Sequence, residues 1–536
     1  RLASIKHIKM ETQVLLSAII TGAYSFFVNL LFKSYKTKAV RISILFLFLA
    51  LPLAVLGLAY NVKILINVSL AVLFIQLIFH LVNTCLVFVL FRNFFPPLAL
   101  FLSLIFLVHP INVETITYSS SLQDILYLFF GLISLLFLIK NDFNLKKTLT
   151  LSLLMLLSLL SKETGIIFIF LSILFAYLYQ KTKLKSLFKA IFISLASYSV
   201  LRFGVAQVFF NKHDLSPITR ISLWQRLPTI PKIITHYLST FVFPQEFSIS
   251  QHWVVDTLTL TSFYLPLILS ISFFTILSAY LRSKPFLFFY CWFILGLGLH
   301  LQIFPLDMTV ADRWFYLPQI GLLGMLGIFL LSFKKYFSRF SVLLYLLATI
   351  FLILLSISTL YRSLDWIDSL TLYALDEQIT PNSFDLENNL GVALYRAGRY
   401  QEAKDHFERS VQIAPFWWTN WNNLGSTYEQ EKNIKDAKDA YTTAIKNGQY
   451  YLSYENLAKI TLFKENKPDE AKKFAEDSLK ILPQNSTLWL VLALSDYKLN
   501  LKDDALIAAK NAYLLSPSEQ TYYIVTRLQS GLPIDF

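Results

Sequence analysis

The sequence predicts an all-α protein in which a polytopic bundle of transmembrane helices is followed by an α-solenoid. Of the 536 residues, 55% are hydrophobic and the mean hydropathy is +0.55, which is too apolar for a soluble protein of this length. Residues 1–361 carry 28 Lys and Arg against 10 Asp and Glu, whereas residues 362–536 carry 19 against 24. We therefore divide the chain into a membrane domain at 1–361 and a repeat domain at 362–536.

Apolar runs that suit a bilayer recur through the membrane domain. We predict ten spans, some short enough to need tilt or burial inside the bundle. They lie at about 69–91, 97–108, 122–139, 148–160, 165–179, 186–209, 257–281, 285–302, 315–333 and 340–360. Two earlier runs, 14–32 and 42–60, either form a spanning hairpin or lie along the outer surface. The chain begins at Arg1 without a Met, so we expect an incomplete or processed N-terminus.

Basic residues identify the cytoplasmic side, because they fall in alternate loops between the predicted spans. These residues are Arg92, Lys140, Lys146, Lys147, Lys181, Lys183, Lys185, Arg282, Lys284, Lys334, Lys335 and Arg339. Such short clusters set topology and do not form a nucleic-acid surface, so no nucleic-acid partner is predicted. The opposite side receives the repeat domain and nine of the ten acids of the membrane domain: Glu11, Glu114, Asp124, Glu163, Asp214, Glu246, Asp256, Asp307 and Asp312. Any chemistry is therefore expected on the extracytoplasmic face.

A 34-residue period begins after Arg362. The prolines Pro381, Pro415, Pro483 and Pro517 lie on one 34-residue grid, and alanines recur twelve residues before its later points, at Ala403, Ala437, Ala471 and Ala505. This is the spacing of tetratricopeptide repeats, in which small residues let paired helices approach and proline ends the second helix. The fullest repeat contains Trp421, Leu424, Gly425, Tyr428, Ala437, Tyr441 and Ala444. We predict a right-handed solenoid of helix pairs.

The polar segment His109–Asp124, HPINVETITYSSSLQD, lies between two apolar runs and carries His109, Glu114 and Asp124. Ionisable groups beside membrane spans are costly to place there, so they commonly have a function. The alternative is a helix terminus with a capping acid.

Two further charged pairs lie on the same predicted face. Lys162-Glu163 interrupts a long apolar stretch, where the alternative to function is a local ion pair. Asp312-Arg313, followed by Tyr316, precedes a span. Arginine at such a position suits a phosphate, which it binds bidentately, and the alternative is an interfacial basic and aromatic anchor.

Other chemistries lack the residues that they need. Cys85 and Cys291 lie in apolar runs and are assigned to packing. His213, His236 and His252 lack the spacing of metal ligands and are expected on the surface. The chain contains no Walker A, GxGxxG, HExxH or GxSxG motif. No metal site is predicted and no cofactor is assigned.

Four ordered segments carry a resemblance to a known family. HPINVETITYSSSLQDIL, SKETGIIFIF, VADRWFYLPQIG and RSLDWIDSLTLYALDEQITPNS, followed directly by the repeats, resemble the transmembrane and tetratricopeptide-repeat-containing protein family, which is similar to GT-C protein O-mannosyltransferases. FHLVNTCLVFVLF at 79–91 also looks like that family's second span. The resemblance covers nearly the whole chain and implies a GT-C-like bundle.

The resemblance implies a glycosyltransferase that moves a mannose-like sugar from a polyprenyl- or dolichyl-phosphate donor to a hydroxyl, most simply of Ser or Thr in a protein. That family is expected to hold its catalytic acid in the first outer loop, for which residues 1–35 are the candidate remnant and contain no acidic pair. The catalytic base is therefore unassigned, with Glu114 and Glu163 as candidates. The candidates for substrate binding are His109, Asp124, Lys162, Arg202, Asp312, Arg313 and Tyr316.

The expected partners are the lipid-linked donor, membrane lipids, and a polypeptide acceptor or partner in the groove of the repeats. The expected location is a bacterial or archaeal cytoplasmic membrane, or the endoplasmic reticulum in a eukaryote. Two other functions stay open: a non-catalytic anchor that presents the repeats as a docking scaffold, and a transporter of a lipid-linked glycan. Nine acids on one face argue against a mere anchor, and the lack of inverted repeats argues weakly against a transporter.

Overall fold

The computed structural model describes residues 68–209, 216–333 and 341–534. Within these ranges the regular structure is helical, and strand pairing is limited to an isolated bridge between Gln251 and Val310. The predicted all-α class is thereby confirmed. Several predictions fall outside the described residues: the segments 14–32 and 42–60, the candidate loop remnant 1–35, and Glu11, His213, Asp214, Lys334, Lys335 and Arg339.

In the described ranges, ten helices of the membrane part coincide with the ten predicted spans, and four further helices lie between them. They are α1 (Val68–Arg92), α2 (Ala99–Val108), α3 (Val113–Thr117), α4 (Leu122–Lys140), α5 (Leu145–Ser161), α6 (Ile166–Tyr179), α7 (Leu184–Ser199), α8 (Pro217–Arg220), α9 (Leu223–Arg226), α10 (Ile230–Val242), α11 (Leu265–Ser278), α12 (Lys284–Gly298), α13 (Pro318–Ser332) and α14 (Ser341–Asp365). Turns of π-helix extend α7 at Val200–Val205 and precede α11 at Leu260–Tyr264.

Not every predicted span is long enough to cross a bilayer as a straight helix. Five helical segments of the described chain are long and apolar enough to cross a bilayer. They are Val72–Arg92, Ser119–Lys140, Lys181–Val205, Leu260–Ser278 and Leu343–Asp365. The apolar segments Glu163–Tyr179, Lys284–Gly298 and Pro318–Ser332 are shorter. A helix of 15 residues is only about 22 Å long, so these segments need the surrounding bundle to shield their ends.

Aromatic side chains and glycines shape the centre of the bundle. Phe288 and Trp292 of α12 are fully buried and meet edge to face, with their ring centroids 5.9 Å apart. On α13, a Cβ added to Gly324 would lie 2.1 Å from the ring of Phe289, and one added to Gly321 would lie 2.5 Å from a backbone nitrogen of α12. The close approach of the two helices therefore depends on residues without a side chain.

The repeats begin almost without a linker. Helix α15 (Ser369–Ile379) starts four residues after α14 ends, and four helix pairs and a final helix follow it. They are α16 (Phe384–Arg396), α17 (Tyr400–Ile413), α18 (Trp418–Gln430), α19 (Ile434–Asn447), α20 (Tyr451–Lys459), α21 (Pro468–Ile481), α22 (Ser486–Lys498), α23 (Lys502–Leu515) and α24 (Glu519–Gln529). A π-helical turn, Ile460–Lys464, extends α20.

The packing of the repeat helices explains the 34-residue pattern in the sequence. The four alanines at the repeated position are fully buried: Ala403, Ala437, Ala471 and Ala505. Helix α17 ends at Ile413, two residues before Pro415, since proline offers no backbone N–H to continue a helix. Within the second pair, a Cβ added to Gly425 would lie 2.7 Å from the buried ring of Tyr441. Small residues on the first helix thus make room for an aromatic ring on the second.

Buried polar contacts hold the repeats against the membrane helices. Asp376 of α15 accepts a hydrogen bond from the Arg362 guanidinium at 3.0 Å and another from the backbone N–H of Ile249 at 2.8 Å. His252 pairs with Asp385 of α16 at 2.9 Å. The expectation that His252 lies on the surface is wrong, because only 2% of its side chain is exposed. The loop between α10 and α11 therefore ties the first repeat helices to the bundle.

Candidate functional site

The chain bends by 52° between α2 and the helical segment Pro110–Thr117. Pro110 has no backbone donor and restrains the residue before it to an extended conformation, which His109 adopts with φ −78° and ψ 128°. The buried ring of His109 stacks on Phe241 at 4.7 Å, and its Nε2 lies 2.9 Å from the Phe241 carbonyl oxygen. In this structure His109 thus holds the bend against α10, and its role in substrate binding stays a prediction.

The bend places Glu114 beside Arg313. Arg313 donates from its guanidinium Nη1 to one carboxylate oxygen and from its backbone N–H to the other, the latter over 3.0 Å. The side chain of Glu114 is 1% exposed and that of Arg313 is 11% exposed. The guanidinium also lies 5.5 Å from the centroid of the Tyr118 ring. Both oxygens of Glu114 are therefore occupied in positioning Arg313.

Lys162 pairs with Asp124, where α5 ends and α4 begins. The ammonium nitrogen lies 2.6 Å from Asp124 Oδ1, while Asp124 Oδ2 is buried and has no partner among the described residues. The side chain of Lys162 is 18% exposed and that of Asp124 is 4% exposed. Since an ammonium has three donors, Lys162 keeps hydrogen-bonding capacity beyond this pair.

Glu163 turns away from its neighbour Lys162 and pairs with Arg202, in the π-helical extension of α7. The carboxylate side chain is 56% exposed, and the guanidinium also donates to the Tyr198 hydroxyl at 2.9 Å. The idea of a local ion pair between Lys162 and Glu163 is therefore wrong, because each has a distant partner. Of the two candidate bases, Glu163 is the accessible one.

Asp312 is buried beside this cluster. Its Oδ1 has no hydrogen-bond partner in the described chain, and it lies within electrostatic range of Glu114, Arg362 and Asp376. Burial, reinforced by the negative charge of Glu114, raises the pKa of Asp312 well above its ordinary value. The site thus contains a carboxyl group that protonates more readily than an ordinary aspartate.

Tyr316 lies deeper, and its hydroxyl meets two residues that the sequence analysis missed. It lies 2.8 Å from Nδ1 of His80 and 3.4 Å from Nδ2 of Asn83, both on α1. The other ring nitrogen of His80 lies 3.0 Å from the Leu107 carbonyl oxygen. The signal for these residues was the presence of polar side chains inside the apolar run FHLVNTCLVFVLF. Together they connect α1 to the segment that carries Arg313.

A third missed residue, His300, follows the end of α12. Its ring stacks on Trp314 at 4.9 Å with an interplanar angle of 11°, and its Nδ1 is buried without a partner among the described residues. His300 lies within electrostatic range of both Lys162 and Arg313. No motif or spacing in the sequence indicated His300.

The predicted site residues fall into three groups. The first contains the buried cluster and the adjacent pair, namely Glu114, Asp312, Arg313, Asp124 and Lys162. The second is the exposed pair of Glu163 and Arg202, and the third contains His109 and Tyr316, which are packed inside the bundle. Within the described ranges, no three His, Cys, Asp or Glu side chains lie close enough to hold a metal ion.

Comparisons with known proteins support both the predicted repeats and the resemblance to O-mannosyltransferases. The tetratricopeptide-repeat family model matches residues 382–449. The protein O-mannosyl-transferase F38B6.6 of Caenorhabditis elegans is 25% identical over 330 residues, which are 58% of this chain and 45% of that protein. The protein O-mannosyl-transferase Tmtc2 of Drosophila melanogaster is 31% identical over 110 residues, or 20% of this chain and 12% of that protein. The chain thus contains tetratricopeptide repeats and is similar to protein O-mannosyltransferases. Its matches span less than half of the length of these relatives.

Solved structures of repeat proteins match about 30% of the chain. YrrB, described as a tetratricopeptide-repeat protein with an unusual peptide-binding site, is 14% identical, with 82% of its chain covered and a TM-score of 0.26. PilF of Pseudomonas aeruginosa is 20% identical, with 73% covered and a TM-score of 0.28. TTC0263 of Thermus thermophilus is 21% identical, with 82% covered and a TM-score of 0.25.

A row of amide side chains links the first helices of three repeats in this protein. Asn423 donates to Asn388 at 2.8 Å, Asn422 donates to Asn423 at 3.4 Å, and Asn456 donates to Asn422 at 3.3 Å. Ser453 adds a hydrogen bond to Asn422 at 3.0 Å. These hydrogen bonds connect α16, α18 and α20 and help to fix their spacing.

Proposed function

We propose that this chain forms part of a membrane glycosyltransferase that transfers a mannose-like sugar from a polyprenyl-phosphate donor to a hydroxyl, most simply of Ser or Thr in a protein. The relatives named O-mannosyl-transferases support the reaction class. The observation that carries the proposal is the placement of two cations, Lys162 and Arg313, each held by a buried carboxylate, with Arg313 also within electrostatic range of Asp124, the partner of Lys162.

The two cations suit a polyprenyl-phosphate leaving group, which departs as a phosphate monoester. Arg313 uses Nη1 for Glu114, and the acceptor of Nη2 among the described residues is the weakly accepting sulfur of Met308 at 3.9 Å. Lys162 likewise keeps donors beyond the one that Asp124 accepts. Charge-assisted hydrogen bonds to a departing phosphate strengthen as its negative charge develops, which lowers the barrier. The buried carboxylates would hold both cations in place between turnovers.

The transfer itself needs a base. As the acceptor oxygen bonds to the anomeric carbon, the bond from that carbon to the phosphate oxygen breaks, and the hydroxyl proton passes to a carboxylate. Glu114 has both oxygens engaged by Arg313, whereas Glu163 is accessible and shares one oxygen with Arg202. The catalytic base remains unassigned, with Glu163 the better placed of the two candidates and Glu114 suited to positioning.

The proposed setting is the extracytoplasmic face of a membrane. The basic loops at the other end of the helices support this orientation. The repeats, which are tied to the loop between α10 and α11, would then lie on the same face and present the polypeptide acceptor. The membrane is bacterial or archaeal cytoplasmic membrane, or endoplasmic reticulum in a eukaryote.

The test is a transfer assay with full-length protein in membranes, a labelled polyprenyl-phosphate sugar and a peptide rich in Ser and Thr. Lys162→Ala should lower the transfer rate about 10- to 100-fold, since one charge-assisted contact contributes about 1.5–3 kcal/mol. Lys183→Ala is the matched control, because Lys183 donates to the Leu138 carbonyl at 3.1 Å in one of the basic loops at the other end of the helices. Its rate should equal that of wild type.

Two outcomes would remove the proposal. Absence of transfer from every polyprenyl-phosphate sugar would favour a membrane-bound docking scaffold, for which the tie between loop and repeats is the supporting observation. Movement of an intact lipid-linked glycan between leaflets, without transfer, would favour a transporter.

A further inference from the structure

Apolar side chains project outward from two loops on the repeat side of the bundle. Trp224 of α9 is 79% exposed, Phe304 in the loop after α12 is 77% exposed, and Leu223, Leu227 and Ile303 beside them are also exposed. We call these five residues the apolar tip. Large apolar side chains that cluster in the open mark an interaction site.

Arg226 holds the two loops of the apolar tip together. Its buried guanidinium donates to the carbonyl oxygens of Gln302 at 2.9 Å, Ile221 at 2.6 Å and Ile303 at 3.3 Å. Burying a guanidinium is costly unless it is hydrogen-bonded, and here each of its three nitrogens donates to a carbonyl oxygen. Hydrogen bonds from Arg226 to backbone carbonyl oxygens thus connect the two loops. The apolar side chains of the tip remain exposed and do not pack into the core.

A contact with α11 sets the depth of this region. Ser270 donates to the Pro231 carbonyl oxygen, in the first turn of α10, over 3.4 Å. Ser270 lies ten residues after Leu260, the first residue of a segment long enough to cross a membrane, so the contact lies about 15 Å along that segment. Helix α10 therefore starts beside the interior of a span, only three residues after the apolar tip ends at Leu227.

We propose that the apolar tip is embedded among the acyl chains of the leaflet on the repeat side of the bilayer. Trp favours the boundary between headgroups and hydrocarbon, and Trp, Phe and Leu together form apolar surfaces that insert from there into the acyl chains. The segment that carries the tip also contacts the repeats, since the guanidinium of Arg220 lies 3.7 Å from the centroid of the Phe416 ring. The membrane and the first turn between repeats are thereby coupled through α8 and α9.

The experiment places a nitroxide at Trp224→Cys and at Phe304→Cys, in full-length protein whose Cys85 and Cys291 are replaced by Ala. The protein is reconstituted in phosphatidylcholine vesicles without polyprenyl phosphate, so that a donor lipid cannot produce the result. Lys480→Cys is the control, because Lys480 is exposed on α21. At positions 224 and 304 we expect collisions with oxygen to exceed those with a water-soluble nickel chelate, and the reverse at 480.

A second measurement avoids cysteine variants that fail to fold. Brominated acyl chains should quench part of the tryptophan fluorescence of the otherwise unmodified protein, and that part should shrink in Trp224→Phe but not in Trp421→Phe, a control on the repeats. Nickel accessibility at 224 and 304 equal to that at 480, or identical quenching in both Phe variants, would overturn the proposal. Neither measurement depends on sugar transfer.

Discussion

Arg313 binds both carboxylate oxygens of Glu114 across 199 residues of sequence, one through its guanidinium and one through its backbone N–H. Glu114→Gln should destabilise the protein by about 3–5 kcal/mol, because the buried guanidinium loses its counter-charge. Thermal unfolding in detergent measures this loss. Glu163→Gln is the matched control, and it should cost less than about 1 kcal/mol because its pair is exposed.

A double variant separates the ion pair from simple packing. Glu114→Gln combined with Arg313→Met leaves no unpaired buried charge, so we expect it to be more stable than Glu114→Gln alone. If the loss of stability in the double variant equals the sum of the losses in the two single variants, the two residues act independently.

The packing of the repeats predicts that the stability cost of replacing glycine by alanine depends strongly on the position. Gly425→Ala would place a Cβ within 2.7 Å of the Tyr441 ring, and the resulting overpacking should cost about 1–3 kcal/mol. Gly204→Ala is the control, because nothing lies within 4 Å of the Cβ it would add. Chemical denaturation followed by circular dichroism distinguishes them, and adding Tyr441→Leu should restore part of the stability of Gly425→Ala.

The contact between Asp385 and His252 predicts a pH dependence. Burial opposes ionisation of Asp385, but His252 and two serine hydroxyls outweigh it and lower the pKa of Asp385 from 3.8 to about 2. Because the pKa is lower in the folded state, the stabilisation is present above about pH 4 and disappears as the pH falls towards 2. Asp385→Asn should therefore cost about 2 kcal/mol at pH 5 and almost nothing at pH 2. Unfolding at both pH values checks this, and an equal cost at both would contradict it.

Topology is testable by labelling with an impermeant maleimide. Ser120→Cys, between α3 and α4, and Lys480→Cys, on the repeats, should react from the same side of sealed vesicles. Lys146→Cys, in a basic loop at the start of α5, should react from the other side. Reaction of positions 120 and 480 from opposite sides would contradict the predicted orientation.

Hydropathy and repeat spacing predicted the helices well, because both patterns are local. Each predicted span contains a helix, and buried alanines such as Ala437 occupy the repeated position. The bend at His109 also follows from a local cause, the proline after it. Helix lengths were less predictable, because α12 and α13 are shielded by their neighbours and need not cross a bilayer alone.

The partners of the charged side chains could not be predicted. Lys162 and Glu163 are adjacent, yet they pair with Asp124 and Arg202, because neighbouring residues at a helix start point in different directions. Asp376 was not singled out, although it accepts hydrogen bonds from Arg362 and Ile249. These pairings depend on how distant helices pack, and no periodicity in the sequence records that.

The short connection between α14 and α15, together with the buried contact of Arg362 with Asp376, makes a rigid elbow of a membrane helix and the start of the solenoid. Such a fixed connection would hold each repeat at a constant distance from the end of the membrane helix. An extended polypeptide bound along the repeats would then lie at a fixed position relative to the membrane helices. Each residue of shift along that polypeptide would move a given hydroxyl by about 3.3 Å. Under the proposed transfer reaction, the choice of hydroxyl would then depend on its position along the polypeptide as much as on its neighbouring residues.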